Sequence, residues 1–461
     1  MEKKSSFSGS IGFVLAAAGS AVGVGNIWRF PYLAAKDGGG IFLLVYIILA
    51  LTFGFALLTT EIAIGRRTKK NALNAYGAIH RKWKFVGILT FIVPAIIMTY
   101  YSVIGGWITK YMTLYLTNQG SEAAKDGYFT SFIKSDISPI VFMLIFLAIT
   151  SFIVFCGVEK GIEKFSKYIM PGLLVIIIGI AIFSLTISHT DSEGVTRTGV
   201  EGFLVYVVPN FDGLTVSKFF EILLDAMGQL FYSLSVAMGI MITYGSYVKD
   251  DVDLNKSIRN IEIFDTLVAF LAGMMIIPAV YAFMGTEGMT EGPGLMFVSL
   301  PKVFEAMGTA GTFIGAIFFV MVVFAALTSS VSIMETLVAN CMEKFNKSRK
   351  TVSLIMMLIY AGASIVICLG YNVFYFELKL PNGAVGQLLD IMDYVSNYFL
   401  MPIISILTCI LIGWIVKPVF VSKEIENSGV EFKRKKLYSL IVKYVAPVLL
   451  VVLFLKSIGL F

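Results

Sequence analysis

Two long apolar runs in this chain each lose their helix-forming residues at mid-length, about half the chain apart. The first interruption is Gly19-Ser-Ala-Val-Gly-Val-Gly-Asn26, inside the run from Ile11 to Leu33. The second is Tyr232-Ser-Leu-Ser-Val-Ala-Met-Gly239, inside the run from Phe219 to Tyr247. Hydrocarbon offers no hydrogen-bond partners, so backbone that leaves the helix there is tolerated only where it lines a cavity or is buried in protein. Glycine-interrupted spans at corresponding places in two halves of a chain point to the binding site of a secondary transporter.

Composition supports the membrane setting that this argument needs. Hydrophobic residues make up 57% of the chain and charged residues 14%, against about 25% charged in a soluble domain. A helix needs roughly 20 residues to cross the ~30 Å hydrocarbon core. About eleven runs of that length are present, near residues 11–33, 41–64, 85–116, 138–156, 165–187, 219–247, 261–285, 311–341, 351–370, 386–416 and 438–459. The fold class expected is therefore an all-α membrane protein of about eleven spans, the first and sixth broken. The polar stretch 188–218 reads as a loop with a short helix. One transporter domain covers 1–461, with spans one to five (8–187) set against spans six to ten (219–416) as a coarse repeat, and the eleventh at 438–459.

Lys and Arg in the short loops set the orientation. One side holds Arg66, Arg67, Lys69, Lys70, Arg81, Lys82 and Lys84, then Lys160, Lys164 and Lys167. The same side carries Lys344, Lys347, Arg349 and Lys350, then the Lys433-Arg-Lys-Lys436 cluster. The N-terminus is expected in the cytoplasm and the C-terminus outside a cell membrane crossed many times. The net charge of +6 resides in these loops, so no nucleic-acid partner is expected. The four cysteines stand alone and the two histidines fall in loops, which leaves no CxxC pair or histidine-based metal site. No nucleophile–base pair is visible, so an enzyme is not expected. The N-terminal Met1-Glu-Lys-Lys-Ser-Ser stretch is too short for a cleaved signal and is read as retained.

Resemblance becomes specific at GSAVGVGNIWRFPYLAAKDGGG, residues 19–40. This string is similar to the first-span motif of the neurotransmitter:sodium symporter family. Tyr100-Tyr101, Gly228-Gln229 and Ala326-Leu-Thr-Ser-Ser330 extend the match over nearly the whole chain. The family is itself a type example of broken transporter helices, so the resemblance and the broken-span argument are not independent. It implies a bacterial amino-acid transporter driven by two sodium ions.

Hard cations want several oxygen ligands, and a broken helix frees carbonyls to supply them. By resemblance the first sodium site uses Asn26, Ser233 and Asp265 with the Ala21 carbonyl and the substrate carboxylate. The second uses the carbonyls of Gly19, Val22 and Ala325 with the hydroxyls of Thr328 and Ser329. Ser and Thr in membrane helices more commonly just hydrogen-bond helices together, so the first-span motif carries this assignment. Asp265 is a carboxylate within a span, where ionisable groups are functional by default. Many family members carry Asn there with a chloride nearby; the fixed charge of Asp implies chloride independence. A helix-end carboxylate facing water near Glu262 is the plainer alternative.

Gly23 stands where amine-transporting relatives carry an Asp, so the substrate must bring its own anion, as an α-amino acid does. The resemblance places its carboxylate at sodium, the amides around Val24 and Gly25, and the Tyr101 hydroxyl. Its ammonium falls to carbonyls near Ala21 and Ser235. Val24, Ile97, Tyr232, Met238, Ser332 and Ile333 surround the side chain, with Ser233 and Ser329 at the edge. That lining favours neutral, mainly hydrophobic amino acids, aromatic ones included; Met238 is soft and adaptable.

The resemblance makes Arg29 and Asp393 an outer gate joined through water, with Tyr101 and Tyr232 as a lid beneath it. Lys4 and Glu343 take the inner-gate positions, with Tyr247 contributing and Phe7 in place of a Trp. Glu61 is expected to accept hydrogen bonds from the unwound segments. Gly161 and Pro171, with nine residues between them, resemble a family pattern that lets the fifth span unwind. Proton coupling through Asp265 or Glu61, and a non-transporting sensor on the same scaffold, remain open. A channel would need continuous polar rings, which these spans lack. The oligomeric state is not legible in the residues.

Overall fold

Helix dominates because each apolar run satisfies its amides within the segment. The computed structural model describes residues 6–191, 194–288 and 294–460, and their side chains except at 286–288. In chain order, α1 is Ser10–Ala21 and α2 is Gly25–Lys36, bent by 53° at the break. Then come α3 (Gly40–Thr68), α4 (Arg81–Leu116), α5 (Ser138–Phe155) and α6 (Val158–Leu185). The second break separates α7 (Val216–Ser233) from α8 (Ile240–Ser246). The set closes with α9 (Leu254–Gly285), α10 (Thr309–Phe345), α11 (Arg349–Leu369), α12 (Leu388–Ile415) and α13 (Lys435–Ser457).

Among the described residues, nine helices are each long and apolar enough to cross a bilayer, and the bent α1–α2 pair makes a tenth. α7 by itself falls short of that measure because Lys218, Glu221 and Asp225 lie within its 18 residues, and α8, seven residues long, follows only after a wide break. Taken as one broken crossing, the pair completes the eleven expected. The stretch after α6 contains a short antiparallel hairpin, Ser188–Thr190 with Thr196–Thr198, ahead of the helix Gly199–Val207. The sequence reading had the helix and missed the hairpin.

The breaks lie at the centre of the packing. α10 runs along α4, and α8 along α3, so α1, α3, α8 and α10 enclose the middle. By contrast, the apolar window of α13 is only 28% buried, against 72% for α3. Its Val448 faces outward, as do Val175 of α6 and Leu358 of α11. These are lipid-facing surfaces.

Each break has an identifiable cause. At the first, Val22 leaves the helix (ψ 88°), and two glycines admit close neighbours. A Cβ on Gly23 would stand 2.6 Å from Ser329 Oγ, and one on Gly25 would stand 2.8 Å from the Tyr232 ring. At the second, Ser235, Ala237 and Gly239 take left-handed φ of 52°, 62° and 71°. That costs the two non-glycines about 1–2 kcal/mol each. The cost is offset by hydrogen bonds: Ala237 N–H donates to Glu61 Oε1 (2.6 Å) and Ser235 Oγ to the Ser20 carbonyl (3.1 Å).

Candidate functional site

Three oxygen-bearing side chains from three helices converge beside the first break. Ser233 Oγ, at the end of α7, lies 3.1 Å from Asn26 Oδ1 and 2.7 Å from Asp265 Oδ1. Asn26 Nδ2 donates to the same Asp265 oxygen (2.9 Å), and the Tyr46 hydroxyl reaches the other at 3.5 Å. Asp265 and Asn26 are fully buried, which removes the alternative of a carboxylate facing water. The geometry gathers an amide oxygen, a hydroxyl and a carboxylate, the hard donors that a small cation prefers.

On the opposite side of α1, Gly19 packs on Thr328, whose Cβ would be 3.3 Å from a Cβ placed there. Thr328 Oγ1 donates to the Ala325 carbonyl (2.9 Å), and Ser329 Oγ donates to the Ser20 carbonyl (3.1 Å). Gly19, Ala325, Thr328 and Ser329 are thereby brought to one seam with the carbonyl end of α1, next to Val22. Ser20 was missed by the sequence reading. Its carbonyl accepts from Ser235 and Ser329 and so joins both breaks to α10. Its place inside the Gly19–Asn26 string was the available signal.

Between these two groups lies a cavity lined by Ala21, Val24, Gly25, Ile97, Tyr101, Tyr232, Ser233, Ser235, Met238, Ser329 and Ile333, with Ser20, Gly23 and Asn26. No lysine, arginine, aspartate or glutamate lines it. It is contracted to about 20 Å³, room for about one water, so an amino acid enters only if the lining moves. The Tyr101 hydroxyl is buried with no hydrogen-bond partner among the described residues. A buried, unpaired donor is costly and is suited to an arriving carboxylate. Ser332, expected around the substrate side chain, instead accepts from the Tyr244 hydroxyl (2.8 Å) and donates to the Thr328 carbonyl (2.9 Å). It belongs to helix packing.

Towards the end of the molecule poor in cations, Arg29 and Asp393 make no direct ion pair among the described residues. Arg29 Nη2 donates to the Tyr398 hydroxyl (3.3 Å), while Asp393 accepts from the Tyr100 hydroxyl (3.0 Å) and Asn397 (2.6 Å). A cavity of about 320 Å³, lined by Arg29, Asp225, Tyr232, Asn397 and Tyr398 among others, opens above. Tyr232 lines both cavities and separates them.

The cation-rich end differs most from expectation. Lys4 lies outside the described residues. Glu343 is engaged by the start of the helix Ala72–Ile79, accepting from the N–H of its cap residue Asn71 (3.1 Å) and from Asn74 Nδ2 in its first turn (3.0 Å). Lys70 approaches Glu343 at 3.5 Å. Tyr247 donates its hydroxyl to Glu335 (2.7 Å), which also receives both terminal nitrogens of Arg349. Glu335 was missed, although it is an ionisable residue in the middle of an apolar run and thus carried a signal. Phe7 is buried against Tyr244 and Tyr247, and its N–H donates to the Tyr247 carbonyl (3.2 Å).

Two further groups support the broken helices. Glu61 holds Ala237 as above, while its second oxygen is buried without a partner. At the start of α6, Val158–Glu163 forms a wide π-helical turn, and Glu163 accepts from Ser8 N–H (2.8 Å) and from the Ser8 hydroxyl. Lys167 pairs with the same carboxylate at 2.7 Å. The irregular start of the fifth span, between Gly161 and Pro171, is thereby tied to the beginning of α1.

The chain matches the Sodium:neurotransmitter symporter family over residues 4–125 and 133–461. It is similar to an uncharacterized sodium-dependent transporter of Bacillus subtilis (strain 168), YhdH, at 34% identity over 99% of this chain and 98% of that one. An uncharacterized sodium-dependent transporter of Haemophilus influenzae is 30% identical, over 99% of each chain. Another from Methanocaldococcus jannaschii, MJ1319, is 32% identical over 90% of this chain and 82% of that one. Among solved structures, MhsT in complex with L-phenylalanine matches with a TM-score of 0.85 and 33% identity, covering 99% of this chain and 100% of that chain.

Proposed function

This chain belongs to the sodium:neurotransmitter symporter family and is a sodium-dependent membrane transporter, not an enzyme; from that premise we propose that it imports neutral, mainly hydrophobic amino acids with two sodium ions and without chloride. Spans one to five and six to ten act as inverted repeats around the shared centre. Alternating access exposes that centre first to the outside, past Arg29 and Asp393, and then to the cytoplasm, past Tyr247, Glu335 and Glu343. Each net charge moving down an inside-negative potential supplies roughly 2.3 kcal/mol per 100 mV, besides the concentration gradients.

The observation that carries the reading is the buried Asp265–Asn26–Ser233 cluster beneath a cavity with no charged wall. Fixed negative charge at the cluster suits sodium without a bound anion. The uncharged wall suits an apolar side chain, and Gly23 leaves the α-carboxylate free to meet the cation. The relative MhsT holding L-phenylalanine supports an aromatic amino acid as one substrate.

The deciding experiment is uptake of L-leucine, L-tyrosine and L-phenylalanine into proteoliposomes, with sodium replaced by choline at constant pH and chloride by gluconate. Uptake that needs sodium and ignores chloride is the expected result. The unpaired buried oxygen of Glu61 favours a second reading, proton coupling. Uptake that persists in choline under a proton gradient would establish it instead, and sodium-dependent binding without uptake would indicate a sensor.

A further inference from the structure

At the cation-rich end, α9 begins beside the stretch that leads into α13, and the two enclose a cavity of about 320 Å³. Lys256, Arg259, Lys433 and Arg434 line it, facing the carboxylates of Asp253 and Glu431. Asp253 is already engaged: its carboxylate accepts from Lys256 N–H (3.0 Å) and caps α9. Among the described residues Lys256, Arg259 and Lys433 have no ion-pair partner, and all three are exposed. Arg434 lies over the Phe55 ring (4.7 Å) and reaches Glu262 only at 3.5 Å. Four cations, one of them paired with Glu262, face the two carboxylates of Asp253 and Glu431, so the cavity keeps a net positive charge and makes an anion site.

The surroundings select which anion. Beyond the cavity, α9 exposes Ile263 and Leu267, and α13 exposes Leu437, Leu440 and Tyr444. These rows face lipid, so the cavity sits where headgroups meet hydrocarbon. Lys256 and Asp253 also line an adjoining crevice of about 810 Å³, whose far wall includes Ile11, Val14, Ile263 and Leu267. A phosphate at the cations would place its acyl chains against apolar surface. A soluble phosphate would leave that surface unused.

We propose that this pocket binds the headgroup of an anionic phospholipid of the inner leaflet. The proposal takes the cation-rich end as cytoplasmic, following the loop charges, and does not depend on what the central site transports. Clustered cations next to a span attract anionic lipid, and here they also form a cavity with walls. Because the lipid would touch both α9 and the crevice beside α1, its occupancy would brace the beginning of the first broken helix.

The test is native mass spectrometry of the full-length protein in micelles doped with phosphatidylglycerol or phosphatidylcholine. The protein is expected to retain phosphatidylglycerol about tenfold more than phosphatidylcholine. The triple variant Lys256→Gln/Arg259→Gln/Lys433→Gln should lose that preference. The single Lys433→Glu should weaken it while disturbing the fold less, and Lys344→Gln/Lys347→Gln, at the same end but away from the cavity, should keep it. Equal retention of both lipids by the unaltered protein would overturn the proposal. An equal loss in the Lys344/Lys347 control would do the same, by showing general surface charge. Inorganic phosphate at millimolar concentration that displaces the lipid completely would show a soluble-anion site and refute the lipid assignment.

Discussion

Replacing Asp265 by Asn is the sharpest probe of the central cluster, because it removes one charge and almost nothing else. Asn is isosteric, and its amide oxygen can keep the hydrogen bonds that Asp265 Oδ1 now accepts from Ser233 (2.7 Å) and Asn26 (2.9 Å). What disappears is the carboxylate's attraction for a cation held in the cluster beside it. At roughly 5 Å and an effective dielectric constant of about 20, that attraction is about 3 kcal/mol, or ~10²-fold in affinity. The sodium concentration for half-maximal binding of radiolabelled L-leucine should therefore rise by about tenfold to a hundredfold in gluconate. Chloride should restore part of the loss, since an anion near the vacated charge replaces it. The unaltered protein should behave alike in both salts. An Asp265→Asn protein with normal sodium affinity in gluconate, or an unaltered protein that requires chloride, would refute the electrostatic argument.

Other consequences are equally direct. Glu335→Ala leaves Arg349, whose side chain is 12% exposed, without its partner and should cost about 3–5 kcal/mol. Thermal unfolding should show Glu335→Ala/Arg349→Ala recovering much of that loss. Gly25→Ala puts a Cβ 2.8 Å from the Tyr232 ring and should abolish uptake, whereas Gly9→Ala, with nothing within 4 Å, should leave transport intact. Glu61→Gln retains an acceptor for Ala237 N–H. Sodium-driven uptake should survive it, and a loss of uptake together with any proton dependence would favour the proton-coupled reading.

The centre of the molecule was largely legible in the residues because its chemistry needs unusual ones. Glycines and serines inside apolar runs, and an aspartate within a span, are costly unless used. Those signals singled out the residues one by one; the family resemblance was what grouped Asn26, Ser233 and Asp265, which lie on three helices. The cation-rich end was less legible. Lys, Glu and Arg in loops are ordinary, and nothing local marks which of them will meet. Glu343 turned to Asn71 and Asn74, while Tyr247 joined Glu335 and Arg349. The Ser8–Glu163 contact joins residues far apart in the chain, a pairing that no local pattern encodes.

By itself, then, the chain determined which segments are helical, where two of them must break, and which oxygen-bearing side chains lie at those breaks. Hydrocarbon imposes those outcomes segment by segment, through the requirement that every amide find a partner. Tertiary packing alone decided the tightness of the central cavity, the separation of Arg29 from Asp393, and the gathering of Lys256, Arg259, Lys433 and Arg434 around one hollow. Those depend on distances between helices, which arise only when side chains from remote parts of the chain fit against one another.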